Sequence, residues 1–274
     1  MIQLKSEAEI AKMRRAGLVV AAALDAMRDA IAPGVTTGEL DEIAADTIRS
    51  AGATSNFKGY GPGGQPPYPA TICASINDEV VHGIPNRKRV LHEGDIVSID
   101  CGAVLDGWHG DAAFTAGVGE IDPQVAKLLE VCETSLWHGI AAGTAGATLG
   151  DIGFAIEGYV RSQGKYGMVE EYGGHGIGTE MHMEPHVPNK GKRGRGLRLQ
   201  PGMVLAIEPM IMLGQRHVVT LEDRWTVATV DGSRAAHFEH TFAVAPAGPM
   251  VLTAPDLGAS RLGELGVAVP AVLR

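Results

Sequence analysis

The stretch Gly94–Thr115, GDIVSIDCGAVLDGWHGDAAFT, decides how the chain is read. Two apolar runs flank Leu105-Asp106-Gly107, and Asp-Gly between apolar strands is a strong short-range hairpin signal. The first run carries Asp100 and the second Asp111. If the loop closes on Leu105-Asp106, the two aspartates stand directly opposite each other. A closure one residue away makes them near neighbours instead. Directly opposed residues hold their Cβ atoms about 4.5–5.5 Å apart, where like charges repel, and Asp is a poor strand former. Two carboxylates facing each other from half-buried strands need a positive charge, and a divalent cation is the first candidate. Taken alone, the hairpin leaves equally open that either aspartate is an ordinary surface acid.

Further acids lie in similar settings. Glu208 ends the apolar run GMVLAIEP (202–209), and Glu239 sits inside AAHFEHTFAV (235–244). A glutamate among apolar strand neighbours is costly unless paired, and few strand-embedded Lys or Arg are available. His175 and His182 flank the glycine-rich stretch GGHGIGTEMHMEP (173–185), and imidazole is the commonest metal ligand beside carboxylate. The glycines between 173 and 178 predict neither regular strand nor helix there. His82, after a strand and before Gly83-Ile84-Pro85, reads either as a catalytic histidine or as a structural one in a turn. Asp100, Asp111, Glu208 and Glu239 carry −4, and two divalent cations carry +4. One neutral His and a bridging hydroxide complete such a pair of sites. This donor set suits Mn²⁺, Fe²⁺, Co²⁺ or Zn²⁺, and two metals about 3.5–4 Å apart acidify a shared water.

Around these residues the chain reads as α+β. Ser6 with Glu9, and Thr36 with Glu39, have capping-box spacing. They open helices running to Pro33-Gly34 and to about residue 51. A long Gly/Pro/aromatic loop spans 52–70 and is a functional candidate. A strand follows at 71–76. Helices are expected from Asp122-Pro123 to about Ala142 and from Thr148 to Gly164, with strands at 203–207, 225–230 and 236–244. Each half thus runs helix, helix, strands, which permits a duplicated architecture. Residues 1–250 are expected to form one domain, and 251–274 a tail of undecided structure.

The net charge of −9 argues against nonspecific attraction to nucleic acid over the whole surface, and no specific DNA partner is expected. The three cysteines, Cys73, Cys101 and Cys132, are dispersed without CxxC spacing, which favours a reducing compartment. The N-terminal residues show no signal core, and no run of about 18 apolar residues suggests a membrane span. A cytoplasmic location is therefore expected.

Five segments carry a resemblance: CASINDEVVHGIPN (73–86), GDIVSIDCG (94–102) with HGDAAFT (109–115), GGHGIGTEMHMEP (173–185), PGMVLAIEPM (201–210) and WTVATVDGSRAAHFEHTFAV (225–244). In this order they resemble type 1 methionine aminopeptidases over about residues 4–247. The resemblance implies the pita-bread fold, two pseudo-symmetric αβ halves around a curved antiparallel sheet. It implies two divalent metal ions (Co, Mn, Fe or Zn) held by Asp100, Asp111, His175, Glu208 and Glu239, with Asp111 and Glu239 bridging. His82 would touch the substrate backbone and His182 the scissile carbonyl oxygen, and Glu208 would pass on the proton of the attacking water. The methionine pocket would include Tyr68, Cys73 and Trp225, with Met181 where the family usually has an aromatic residue and Tyr60 as a further tyrosine. Arg224 stands where the family often has Gly. The implied substrates are peptides and nascent chains with N-terminal Met, processed by a monomer. The basic run Lys190–Arg198 reads first as a solvated loop and second as a weak ribosomal RNA contact.

Three other readings fit the residues less well. A prolidase or proline-specific aminopeptidase of the same fold usually carries a large N-terminal domain, whereas the residues before His82 read as catalytic-domain helices. A type 2 enzyme would insert a helical subdomain, for which the interval from His182 to Glu208 is too short. A non-enzymatic binding protein on this fold would lose metal ligands, and all are present.

Overall fold

In the computed structural model, residues 2–270 are described. Helices α1 (Glu7–Ala30) and α2 (Thr37–Ser50) begin at Ser6 and Thr36. Each cap hydroxyl accepts the amide of Glu9 or Glu39, whose carboxylate accepts the cap amide in return, so both expected capping boxes form. There follow β1 (Thr54–Ser55), β2 (Ile72–Ile76), β3 (Glu79–Val81), β4 (Ile96–Leu105) and β5 (Trp108–Gly117). The second half opens with α3 (Pro123–Ala142) and α4 (Leu149–Gln163). Its strands begin with β6 (Gly167–Met168), β7 (Gly174–Gly176), β8 (Met183–Val187), β9 (Val204–Ile207) and β10 (Met210–Met212). They continue with β11 (Val218–Thr220), β12 (Val227–Thr229), β13 (Ala235–His237), β14 (Glu239–Ala245) and β15 (Gly248–Val251), and helix α5 (Ala259–Glu264) comes last.

The main sheet is antiparallel, in the order β1-β4-β5-β14-β9-β7-β8, with β2 also on β4 and β15 also on β14. The halves join where β5 meets β14, pairing Ala113 with Glu239 and Ala112 with His240. Helix α1 covers β4 and β5 in the first half, and α3 with α4 covers the second. One core runs through both, including Met27, Leu40, Ile99, Phe114, Leu136, Ile156 and Phe242.

One open alternative is settled and two local expectations change. The β4–β5 hairpin closes on Asp106-Gly107, not Leu105-Asp106. Both turn residues have positive φ, 51° and 78°, as the primed turns that match strand twist require. Leu105 therefore pairs with Trp108, Asp100 stands opposite Ala113, and Asp111 stands opposite Gly102. The aspartates share a face as diagonal neighbours, which relaxes their repulsion relative to direct opposition. The glycine-rich stretch, expected to be irregular, forms the short strand β7 between β8 and β9. Glycine is what lets it fit, since a Cβ at Gly174 or Gly176 would lie 2.2 Å from the carbonyl oxygen of Ala206 or Glu184. The run 236–244, expected as one strand, breaks at Phe238. Its first part, β13, pairs with β10 in a small separate sheet, and its second, β14, lies in the main one.

The C-terminal stretch is tied down as far as it is described. Strand β15 crosses the boundary expected at residue 250, and Val251 and Leu252 are buried. The Arg14 guanidinium donates to the carbonyls of Leu252, Ala254 and Pro255 at 2.6–2.7 Å. Residues 271–274 of the expected tail lie outside the described residues.

Helix α1 approaches this segment through Gly17, where a Cβ would sit 2.3 Å from the Leu252 carbonyl oxygen. Helix propensity alone would favour alanine there by about 1 kcal/mol. Overpacking of a tight contact typically costs about 1–3 kcal/mol. Gly17→Ala is therefore expected to be net destabilising, read as a lower denaturant midpoint at unchanged slope. A gain in stability would show that α1 can shift freely.

Candidate metal centre

Asp100 on β4, Asp111 on β5, His175 on β7, Glu208 at the end of β9 and Glu239 at the start of β14 line one cavity of about 360 Å³. Single donor atoms of Asp111, His175 and Glu239 lie within 4.8 Å of one another. His175 Nε2 is 3.7 Å from Glu208 Oε1 and 4.0 Å from Glu239 Oε1. One buried oxygen each of Asp100, Asp111 and Glu239 has no hydrogen-bond partner among the described residues. The basic groups within 4.0 Å of the two glutamates are histidines rather than Lys or Arg.

Burial, partly offset by a hydrogen bond from the Cys101 amide, pushes the Asp100 carboxyl up to about 7. Burial raises Asp111, Glu208 and Glu239 as well, and repulsion within the cluster adds to it. Burial, reinforced by His182, holds His175 neutral, down to about 3. Its Nδ1 lies 3.0 Å from the Gly176 carbonyl oxygen. With the proton on Nδ1 donating to that carbonyl, Nε2 presents its lone pair to the carboxylates, the usual tautomer of a ligating histidine. Unpartnered oxygens, a neutral imidazole and, among the described residues, no nearby ammonium or guanidinium make a donor set that fits divalent cations.

The frame around these donors is hydrogen-bonded across the halves. Thr241 Oγ1 donates to the Asp111 carbonyl at 2.8 Å and accepts the Asp111 amide at 3.2 Å. Thr253, beyond β15, accepts the Thr241 amide at 3.1 Å, so the C-terminal segment braces β14 at the residue that bonds to Asp111. Asn189 Nδ2 donates to the Glu208 carbonyl at 3.0 Å.

The other expected site residues line the same cavity: Tyr60, Tyr68, Cys73, His82, Met181, His182 and Trp225. Tyr68, Cys73, Met181 and Trp225 form a buried apolar cluster with Phe57 and Ala70. Trp225 stands edge-on to Tyr68, and its Nε1 donates to the Pro66 carbonyl at 3.0 Å. His82 has φ 62°, a left-handed conformation that few non-glycine residues adopt, His more readily than most. Burial lowers its imidazole to about 4. Its ring meets Tyr172 and Trp225 edge-on. His182 is exposed beside His175, their ring centroids 4.4 Å apart.

Sequence reasoning passed over two residues here. Phe57 lies in the Gly/Pro/aromatic loop 52–70, where nothing local marks it, and it joins the apolar cluster only as that loop folds against Trp225. His237 is buried, neither ring nitrogen has a hydrogen-bond partner among the described residues, and its Nε2 is 4.0 Å from Glu208 Oε2. Its position two residues before Glu239 was the available signal, hidden by the strand break at Phe238.

Residues 11–246 match metallopeptidase family M24. The chain belongs to that family. This M24 chain is 55% identical to methionine aminopeptidase 1 of Mycobacterium tuberculosis, over 91% of its own length and 94% of the relative's. It is 51% identical to the methionine aminopeptidase of Clostridium acetobutylicum, over 92% and 99%. The crystal structure of the methionine aminopeptidase from Thermotoga maritima superposes with a TM-score of 0.88 at 43% identity, covering 92% of this chain and 99% of that one. An Xaa-Pro dipeptidase from Bacillus anthracis shares the fold at a TM-score of 0.71 and 23% identity, and the chain covers 62% of it. The architecture is thus the pita-bread arrangement of this family. No helix among the described residues is long and apolar enough to cross a membrane.

The raised carboxyls give this M24 metallopeptidase a pH signature. Above about pH 4, unfolded carboxyls have lost protons that the metal-stripped folded chain still holds. Stripped protein should therefore lose stability as pH rises from about 4 through about 7, the Asp100 value. A bound cation displaces those protons, so its stabilising effect should grow with pH. Thermal unfolding with chelator or with Mn²⁺ at several pH values reads both. A stripped protein that gains stability over this range would show that the acids ionise freely.

Proposed function

We propose that this chain removes N-terminal methionine, as its relatives' names indicate, from peptides and nascent chains whose second residue is small. The observation that carries the reading is an apolar recess built from Phe57, Tyr68, Cys73, Met181 and Trp225 that opens directly onto the buried carboxylate–histidine cluster. An unbranched thioether packs well against aromatic and sulfur groups. The distant proline-specific relatives share only the fold, so the proline-specific alternative is less favoured.

Two divalent ions, Co, Mn, Fe or Zn, would be held by Asp100, Asp111, His175, Glu208 and Glu239. When bound they lower the pKa of a water and polarise a carbonyl. The chain's own groups do the rest. Glu208 takes the proton of the attacking water and returns it to the leaving amine as the peptide C–N bond breaks. His182 donates a hydrogen bond to the scissile carbonyl oxygen as negative charge develops on it. His82 contacts the substrate backbone, and its fixed place beside Tyr172 and Trp225 limits room for the second side chain. The reaction suits a monomer acting in the cytoplasm. Of the basic run 190–198, Lys190 pairs with Glu170 and Arg193 lies over the Phe154 ring. Its remaining charges are the ones that could touch ribosomal RNA.

Peptides Met-Ala-Ser and Met-Leu-Ser test the specificity. Methionine should leave the first and scarcely the second, activity should vanish on chelation, and Mn²⁺, Co²⁺ or Fe²⁺ should restore it. Preferential cleavage of Ala-Pro peptides would favour the proline-specific alternative. Asp111→Asn and Glu239→Gln should lower bound metal as well as turnover. Wild-type metal content in both would remove them from the ligand set.

A further inference from the structure

The Tyr60 hydroxyl lies 2.7 Å from His182 Nδ1, with ring centroids 5.2 Å apart. No hydrogen bond from the described residues reaches His182 Nε2, and the residue lines the cavity. His182 lies on a glycine-rich turn with its ring against that of His175, and the bond from Tyr60 is the one hydrogen bond among the described residues that fixes which ring nitrogen faces the cavity. Tyr60, by contrast, is anchored. Its amide donates to the Phe57 carbonyl at 2.9 Å, and its carbonyl accepts the Tyr68 amide at 2.7 Å. The loop beyond it is held by donors from Trp225 to Pro66 and from Arg224 to Gly64.

A neutral imidazole carries one proton, and the hydrogen bond at one nitrogen decides which nitrogen holds it. A phenol near neutral pH keeps its proton and donates. Donation to Nδ1 leaves the imidazole proton on Nε2. A free, exposed histidine would populate both tautomers and several ring orientations. Only the Nε2–H form, turned into the cavity, can donate to a substrate carbonyl oxygen there.

We propose that Tyr60 is a positioning residue that fixes the tautomer and orientation of His182 for donation from Nε2 to the substrate carbonyl. This goes beyond a place in the methionine pocket, and it rests on the reading above that His182 touches the scissile carbonyl oxygen. Tyr60→Phe keeps the ring and removes only the donor.

The experiment uses zinc-loaded protein labelled with ¹⁵N-histidine, with kinetics on Met-Ala-Ser. In the wild type, His182 should show Nε2 protonated and Nδ1 accepting a hydrogen bond. In Tyr60→Phe the Nδ1 bond signature should vanish and the second tautomer appear. Loss of one hydrogen bond predicts a fall in kcat of about three- to tenfold, with KM held within about twofold. On a His182→Ala background, Tyr60→Phe should cost nothing more. An unchanged His182 tautomer, a raised KM at constant kcat, or an additive loss in the double variant would each overturn the role of Tyr60. In those cases a low kcat in His182→Ala alone would leave the parent reading standing. Wild-type kcat in His182→Ala would sink both.

Discussion

Four carboxylates are gathered in one buried cluster with no lysine or arginine beside them among the described residues, and the rest of the structure answers to that constraint. Burial and mutual repulsion favour their protonated forms, so the folded chain holds them as a charged set only against bound cations. A cluster of this kind works against folding. Strands from both halves of the molecule contribute to it, and a core that spans both halves keeps them together.

Geometry at the cluster comes from interrupted strands. The run from Met203 leaves the main sheet after Ile207, and Glu208 sits at the departure, followed by Pro209, which has no amide to donate to a ladder. The run from Ala235 enters the main sheet only after Phe238, and Glu239 is its first residue there. Both glutamates thus stand where a strand changes sheets, beside the regular β4–β5 hairpin that supplies the aspartates. His175 completes the set because glycines on either side let β7 lie close against its neighbours. Thr241 and Thr253 then brace the seam from the C-terminal side.

The histidines divide by environment. His175 is buried and tied to the Gly176 carbonyl, which suits ligation. His182 is open to the cavity and held at one nitrogen by Tyr60. His82 is held in a left-handed conformation between two aromatic edges. The same ring type therefore serves three positions whose exposure and partners differ, next to a recess that is almost wholly apolar.

Much of this was legible in the residues themselves. Capping boxes, helical spacing and Pro-Gly stops marked all four long helices, because those signals are local. Asp100, Asp111, Glu208 and Glu239 stood out because an acid in an apolar run is costly wherever that run folds. The family resemblance supplied their grouping with His175, and the structure gathers all five around one cavity. What the chain could not declare was non-local. The hairpin register turned on which residues took positive φ, and a one-residue difference separates direct opposition from a diagonal. The split at Phe238 depended on two sheets competing for one apolar run. Phe57 joined the pocket, His237 approached Glu208, and Tyr60 reached His182 only when segments far apart in sequence were folded onto each other. Residue chemistry is written in the order of the chain, whereas distance and orientation between such segments are set by packing.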